Sequence, residues 1–231
     1  MKTKDLIADL AKRSEIPNFR PDRAAGLARL ATFAGRAGDL YDRSRNYDLG
    51  AEKRTNVSAL SPWIRHRLIT EVEVLEVILG HHSFQAAERF VHEVFWRTYF
   101  KGWLEQHPGV WTAYQVDLRR QIKSVGKDRR LAANYTQAMA GETGIDCFDA
   151  WADELVRTGY LHNHARMWFA SIWIFTLQLP WTLGADFFLR HLIDGDPASN
   201  TLAWRWVAGI QTKGRPYIAR ASNIAKFTNQ K

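Results

Sequence analysis

Apolar residues recur at spacings of three and four along most of this chain, and that period constrains its fold more than any other feature. It runs through Ile64 to Leu79, Phe84 to Leu104, Phe148 to Val156, Ala165 to Leu179, Phe187 to Ile193 and Leu202 to Ile210. Such a stripe is one face of a helix, whereas the two-residue alternation of a half-buried strand is nearly absent, so an all-α fold is expected. Ser61-Pro62 supplies a cap and a first-turn proline, Gly80 and Gly159 follow apolar runs as stops, and Pro180 breaks the Trp-rich helix before Trp181. The more polar stretch from Pro108 to Gly144 is read as loops with short helices, and Tyr41 to Asn56 as a loop running into a helix.

The stretch from Trp151 to Trp206 sets Asn163, Arg166, Met167, Trp181, Asp194, Asp196, Asn200, Trp204 and Trp206 into this apolar background. Buried polar groups cost free energy unless they find partners, so the cluster implies that something polar is bound there. The Trp residues imply that it is flat. A chain of 231 residues is long enough for a sizeable core. The division expected is an N-terminal helical segment, 1–40, leading into a unit from 41 to 231, the two together forming one compact unit. With 46% hydrophobic residues and no long uncharged apolar run, the chain reads as soluble, with no membrane span and no signal-peptide core. Its lone cysteine, Cys147, rules out an internal disulfide and a four-cysteine cluster, so the cytoplasm is the expected compartment. Cys147 has no evident base partner, and neither His81-His82 nor His162 with His164 makes a recognisable metal spacing.

A net charge of +8 promotes encounter with nucleic acid. Arg65, His66 and Arg67 form one basic cluster, and Arg119, Arg120, Lys123, Lys127, Arg129 and Arg130 another. Solvated helix faces explain such clusters equally well.

Four segments, SALSPWI (Ser58 to Ile64), EVFWRTYF (Glu93 to Phe100), LHNHARM (Leu161 to Met167) and LIDGDPASN with AWRW (Leu192 to Trp206), resemble in order the flavin-binding domain of the photolyase/cryptochrome family. The resemblance runs from about Tyr41 to Tyr217. It implies FAD as cofactor, DNA containing pyrimidine dimers as partner, and the helical catalytic half standing without its α/β antenna domain. Self-association, or a separate partner over the surface that domain would cover, is a further expectation.

By resemblance, Tyr41, Arg45, Ser58, Leu60, Ser61, Arg97, Asn163, Arg166, Asp194, Asp196 and Asn200 would bind the cofactor. Ser58 and Ser61 would meet its pyrophosphate at a helix N-terminus, although Val57 stands where the family usually has Thr. Ser61 serves equally as an ordinary N-cap. Arg166 and Asp194 resemble the pair beside the flavin ring, a structural salt bridge being the alternative. Asp196 would accept from ribityl or ring N–H groups. Asn200 would face flavin N5, or simply sit at a helix end. Glu93, Trp96, Asn163, Met167 and Trp206 correspond to a pocket for a flipped-out cyclobutane dimer, with core filling the alternative for both Trp. Asn163 and Met167 stand where enzymes for the (6-4) lesion tend to have His, whereas His164 stands where dimer enzymes often have a DNA-contacting Arg. Trp204 and Trp181 resemble the first two members of an electron-transfer chain, with Trp173 or Trp168 offered as a third. A cryptochrome-like light or redox sensor without repair, or a light-independent FAD-binding module, remains open beside the enzyme.

Overall fold

The computed structural model describes residues 19–228, so readings of the first 18 residues, including the leader and the start of the 1–40 segment, lie outside the described residues. Among the described residues there is no strand. The helices are α1 (Arg23–Ala34), α2 (Asp39–Ser44), α3 (Ser61–Arg65), α4 (Glu71–His81), α5 (Phe84–Gln106), α6 (Pro108–Val125), α7 (Arg129–Ala140), α8 (Asp146–Thr158), α9 (Asn163–Ser171), α10 (Trp181–His191), α11 (Pro197–Val207) and α12 (Ala221–Phe227). A 3₁₀ turn covers Ala51–Lys53 and a π-helical turn, Ile172–Thr176, extends α9. None is long and apolar enough to cross a membrane.

Local chemistry sets the boundaries. Thr70 and Glu73 form a reciprocal capping box at α4, Asp128 caps α7, and Asp196 caps α11 just ahead of Pro197. Gly141 and Gly159, both at φ 69°, close α7 and α8 in the left-handed region that glycine adopts without strain.

Several expected boundaries move. The stretch from Pro108 to Gly144 holds two full helices rather than loops with short ones. Trp111, Leu118 and Val125 pack with buried Tyr114 against the larger apolar cluster, but this stripe is narrow and flanked by Gln, Arg and Lys. The Ile64 to Leu79 run is two helices, parted by Arg67 at φ 58° and restarted by the Thr70 cap. Gly80 lies inside α4, where nothing crowds it. In Tyr41 to Asn56 the helix comes first and the loop follows. Ser61 is the first residue of α3 and not its cap; that place falls to Leu60.

Two apolar clusters result. One gathers Leu30, Phe33, Tyr41, Trp63, Ile69, Ile78 and Phe90 from α1 to α5. The other gathers Phe148, Trp151, Trp168, Phe169, Trp173, Phe187 and Trp204 from α8 to α11. Because α1 is built into the first cluster, residues 23–34 belong to the same body as the helices that follow. Polar bridges join the two: Arg54 pairs with Glu154 while both are buried, Trp151 donates to Asp48 at 3.2 Å, and Arg65 and His66 bond the carbonyls of Gly195 and Ile193.

The contact between α10 and α11 leaves no room for a side chain at Gly184, where a Cβ would fall 2.3 Å from Trp204 Cη2 and 2.9 Å from Trp173 Cε2. Gly184→Ala is expected to cost about 1–3 kcal/mol through overpacking, read as a lower urea midpoint, with an altered near-UV signal as Trp204 is displaced.

Candidate functional site

The segments singled out in sequence meet along the seam between the two clusters: α2 and the 54–61 loop on one side, α9 and the 192–196 turn on the other, with α5 packed against both α2 and α11. The 54–61 loop is held from beneath by Arg29, whose guanidinium donates to the carbonyls of Ser58 at 2.7 Å, Arg54 at 3.0 Å and Val57 at 3.0 Å. Ala59 turns at φ 51° within this loop. Ser58 Oγ accepts from the amide of Leu60 at 3.5 Å, and Leu60 is buried.

Asp194 is the centre of the seam. One carboxylate oxygen accepts from Arg166 Nη2 at 2.8 Å and from Ser61 Oγ, while Arg166 Nε donates to the carbonyl of Leu161 at 2.9 Å. The other oxygen is buried without a hydrogen-bond partner. Arg166 and Arg54 both lie on the ring of Tyr160, at 4.9 and 4.5 Å from its centroid. Asp196 spends Oδ1 on capping α11 through the amides of Ala198 and Ser199, and its Oδ2 lies 3.6 Å from Arg65 and 3.8 Å from Arg97. Of the two oxygens of Asp196, Oδ1 is thus engaged by the helix it caps, and Oδ2 faces two guanidinium groups beyond hydrogen-bond distance. Arg97 also approaches Glu71 at 3.4 Å, yet its buried Nε makes no hydrogen bond. Asn200 sits within the first turns of α11, and its amide nitrogen donates to the carbonyl of Ala185 at 2.8 Å.

Around this polar centre lies a more exposed rim. Arg45 pairs with Glu93 at 2.7 Å, while its own buried Nε, 3.9 Å from Asp42, makes no hydrogen bond. Tyr41 is largely core, edge-on to Phe33 and Phe90, and burial raises its phenol above the usual range. Trp96 and Trp206 are 50% and 40% exposed, so neither is core filling. Trp206 stacks on Tyr217 at 5.5 Å, and Asn163, exposed at the start of α9, lies over Met167 Sδ at 4.0 Å. Trp204 is buried against Phe188 and Trp173. Trp181 lies 5.6 Å from Tyr114, which lies 5.2 Å from Trp111. Trp173 and Trp168 are both fully buried, Trp168 stacking on Trp151, so neither provides a surface end for an electron-transfer chain.

His162 and His164 serve the site as clamps. His162 Nδ1 accepts from the His164 amide at 3.1 Å, which places the proton on Nε2, 3.0 Å from the carbonyl of Arg45. His164 Nδ1 lies 2.9 Å from the carbonyl of Asn46. Arg29, Arg54, Glu154 and Tyr160 escaped the sequence reading because each meets a partner distant in sequence, and Tyr217 because no local spacing marks its stacking on Trp206. Among the described residues no group of His, Cys, Asp and Glu could hold a metal ion.

An all-helical body whose buried polar seam holds unsatisfied donors and acceptors is suited to a polar cofactor. The family model for the FAD binding domain of DNA photolyase matches residues 90–231. The chain belongs to the photolyase/cryptochrome family. It is 32% identical over 215 residues to the deoxyribodipyrimidine photo-lyase of Streptomyces griseus, covering 90% of this chain and 44% of that protein. With the enzyme of Synechococcus it shares 29% identity over 216 residues, covering 90% of this chain and 43% of that one. A bacterial class III photolyase from Agrobacterium tumefaciens superposes with a TM-score of 0.75 at 26% identity, over 99% of this chain and 46% of the other. A Synechocystis cryptochrome shares the fold, with a TM-score of 0.76 at 23% identity, over 92% of this chain and 44% of its own. The chain spans less than half the length of these relatives.

FAD is the cofactor of this domain. The residues present fit it: a pyrophosphate and a polar ring edge require charged partners, and Asp194 Oδ1, Arg97 Nε, Arg45 Nε and Trp204 Nε1 are all buried without hydrogen-bond partners.

Asp194→Ala strips the partly buried Arg166 of its partner. It is expected to cost about 1–3 kcal/mol and to yield protein with markedly less bound flavin absorbance. His162 is pushed down to about 4 by burial. Its folded value is below the unfolded one, so its contribution is intact above about pH 6.5 and lost as the pH falls towards 4, up to about 3 kcal/mol. Urea titrations across that range are expected to show the slope in the parent protein and a flatter one in His162→Gln.

Proposed function

We propose that this domain catalyses light-driven cleavage of cyclobutane pyrimidine dimers in DNA by electron transfer from reduced FAD. The observation that carries the reading is the half-exposure of Trp96 and Trp206, which are carried by the adjoining helices α5 and α11. Half-exposed indoles offer flat apolar faces on which an extruded pyrimidine pair can stack.

When bound and reduced, FAD would supply a light-driven one-electron donor that takes the electron back once the dimer's two carbon–carbon bonds have broken. The chain provides binding, orientation and exclusion of water. Trp96 and Trp206 stack the extruded bases, with Tyr217 bracing the second indole. Glu93, steadied by Arg45, presents a carboxylate oxygen to a pyrimidine N–H, and Asn163 presents an amide able both to donate and to accept. Arg166 and Asp194 hold the polar edge of the ring system in a site where fixed dipoles need no reorganisation.

One observation favours a second reading, a light- or redox-sensing flavoprotein without repair. The ring of His164 turns inward between Trp168 and Phe227 and is tied to Asn46, so the position offers no cation to a phosphate.

Purified holoprotein, reduced and mixed with oligothymidine carrying cyclobutane dimers, is expected to remove them in blue light and not in the dark. Trp96→Ala is expected to lose at least about tenfold in repair while retaining flavin, since stacking of one base contributes about 1–3 kcal/mol. Flavin that photoreduces while every dimer survives would favour the sensor.

A further inference from the structure

The outward face of α6 plays no part in the proposed reaction, and its charge is not explained by folding. Trp111, Tyr114, Leu118 and Val125 pack the helix against the larger apolar cluster. At about 100° per residue, Arg119, Arg120 and Lys123 fall on the opposite side. With Lys127, just past the helix end, these exposed cations line a shallow groove that also holds Val116 and Ser124. Arg129 and Arg130, exposed as well, follow in the first turn of α7.

Between Pro108 and Gly141 the chain sets two carboxylates, Asp117 and Asp128, against these six cations. Both carboxylates are committed within the fold. Asp117 pairs with Arg120 and accepts from Thr182 at 3.2 Å, and Asp128 caps α7 through the amides of Arg130 and Leu131. Of the six cations, only Arg120 has a carboxylate partner among the described residues. Elsewhere exposed arginines have an acid four residues away, as in Arg67 with Glu71, Arg157 with Asp153 and Arg190 with Asp186. The residues four away from Lys123 are Arg119 and Lys127, and like charges at that spacing destabilise a helix. Two arginines in the first turn of α7 oppose its dipole, and only Lys123, in the last turn of α6, is favoured by one. Local stability thus opposes this stripe rather than accounting for it.

We propose that the α6–α7 face binds the phosphate backbone of duplex DNA without regard to sequence or lesion. DNA is the partner named in the reading above, but this contact requires neither flavin nor a damaged base. From Arg119 to Lys127 the stripe runs about 12 Å, the length of roughly three to four phosphates of one strand. Arginine forks match phosphate oxygens in pairs, and lysines add point charge. Between the cations stand only Val116 and the hydroxyl of Ser124, so the groove has no aromatic ring on which a base could stack and no large apolar anchor for a protein or a lipid surface. Contacts of this kind position a duplex and release counterions, and they carry no sequence information.

The test is fluorescence anisotropy of a short, labelled, undamaged duplex with the holoprotein in the dark, over a salt series. Binding that weakens steeply with salt and is equal for two unrelated sequences is expected. The Arg119→Gln/Lys123→Gln/Lys127→Gln variant is expected to bind at least roughly tenfold more weakly at low salt, with a slope of log affinity against log salt shallower by about 2–3. Arg129→Gln/Arg130→Gln, on the next helix, gives an independent reading, with a slope shallower by about 2. Arg157→Gln, which removes an exposed cation already paired with an acid, should bind as the parent does. Two variants of the face that keep the parent's affinity and salt slope overturn the proposal. Loss of binding to phosphatidylserine vesicles with duplex affinity intact overturns it in favour of a membrane contact. Dimer repair in light is read separately on the same preparations: its failure strikes the reading above and leaves dark binding of undamaged duplex untouched.

Discussion

Buried charge between two apolar clusters is the constraint on which this molecule depends. Asp194 ties the first residue of α3, the arginine of α9 and the turn before α11 to one carboxylate, and Arg54 with Glu154 does the same between the 3₁₀ turn and α8. Tyr160 lies against both guanidinium groups. Charges removed from water cost several kcal/mol unless paired, so these contacts specify how the two clusters meet more than they add net stability. The same requirement explains why the seam suits a polar cofactor: its atoms are already desolvated, and some still lack partners.

Division of labour follows from burial. Residues at the floor, Asp194, Asp196 and Asn200, are fixed by capping, pairing and a carbonyl acceptor, so their positions are set before anything binds. Residues at the rim, Trp96, Trp206, Glu93 and Asn163, are exposed and can meet a large partner.

Much of this was legible in the sequence. The period of three and four identified α4, α5, α8, α9, α10 and α11, though not α1 or α2, and four short segments in order identified the family to which the chain belongs. What was misread had physical causes. The α6 stripe of Trp111, Tyr114, Leu118 and Val125 is diluted by a polar majority, and the pause between α3 and α4 depends on a positive φ at Arg67, a residue with no special turn propensity. Arg29 could not be recognised as the support of the 54–58 loop, because its acceptors are main-chain carbonyls more than twenty residues away.

By itself the sequence determined the helical class, the stop at Gly159, the break at Pro180 and the family, since periodicity, caps and motif order are local properties. Only the tertiary structure decided what each polar group does. Ser61 could be a cap or a ligand and became a donor to Asp194, 133 residues away; Asp196 could face a ligand and spends one oxygen on its own helix. Trp96 and Trp206 could have filled a core and are exposed, while Trp168 and Trp173 are fully buried. Hydrogen-bond partners and exposure depend on which elements pack together, and the packing of two clusters across a charged seam leaves no mark in any short stretch of chain.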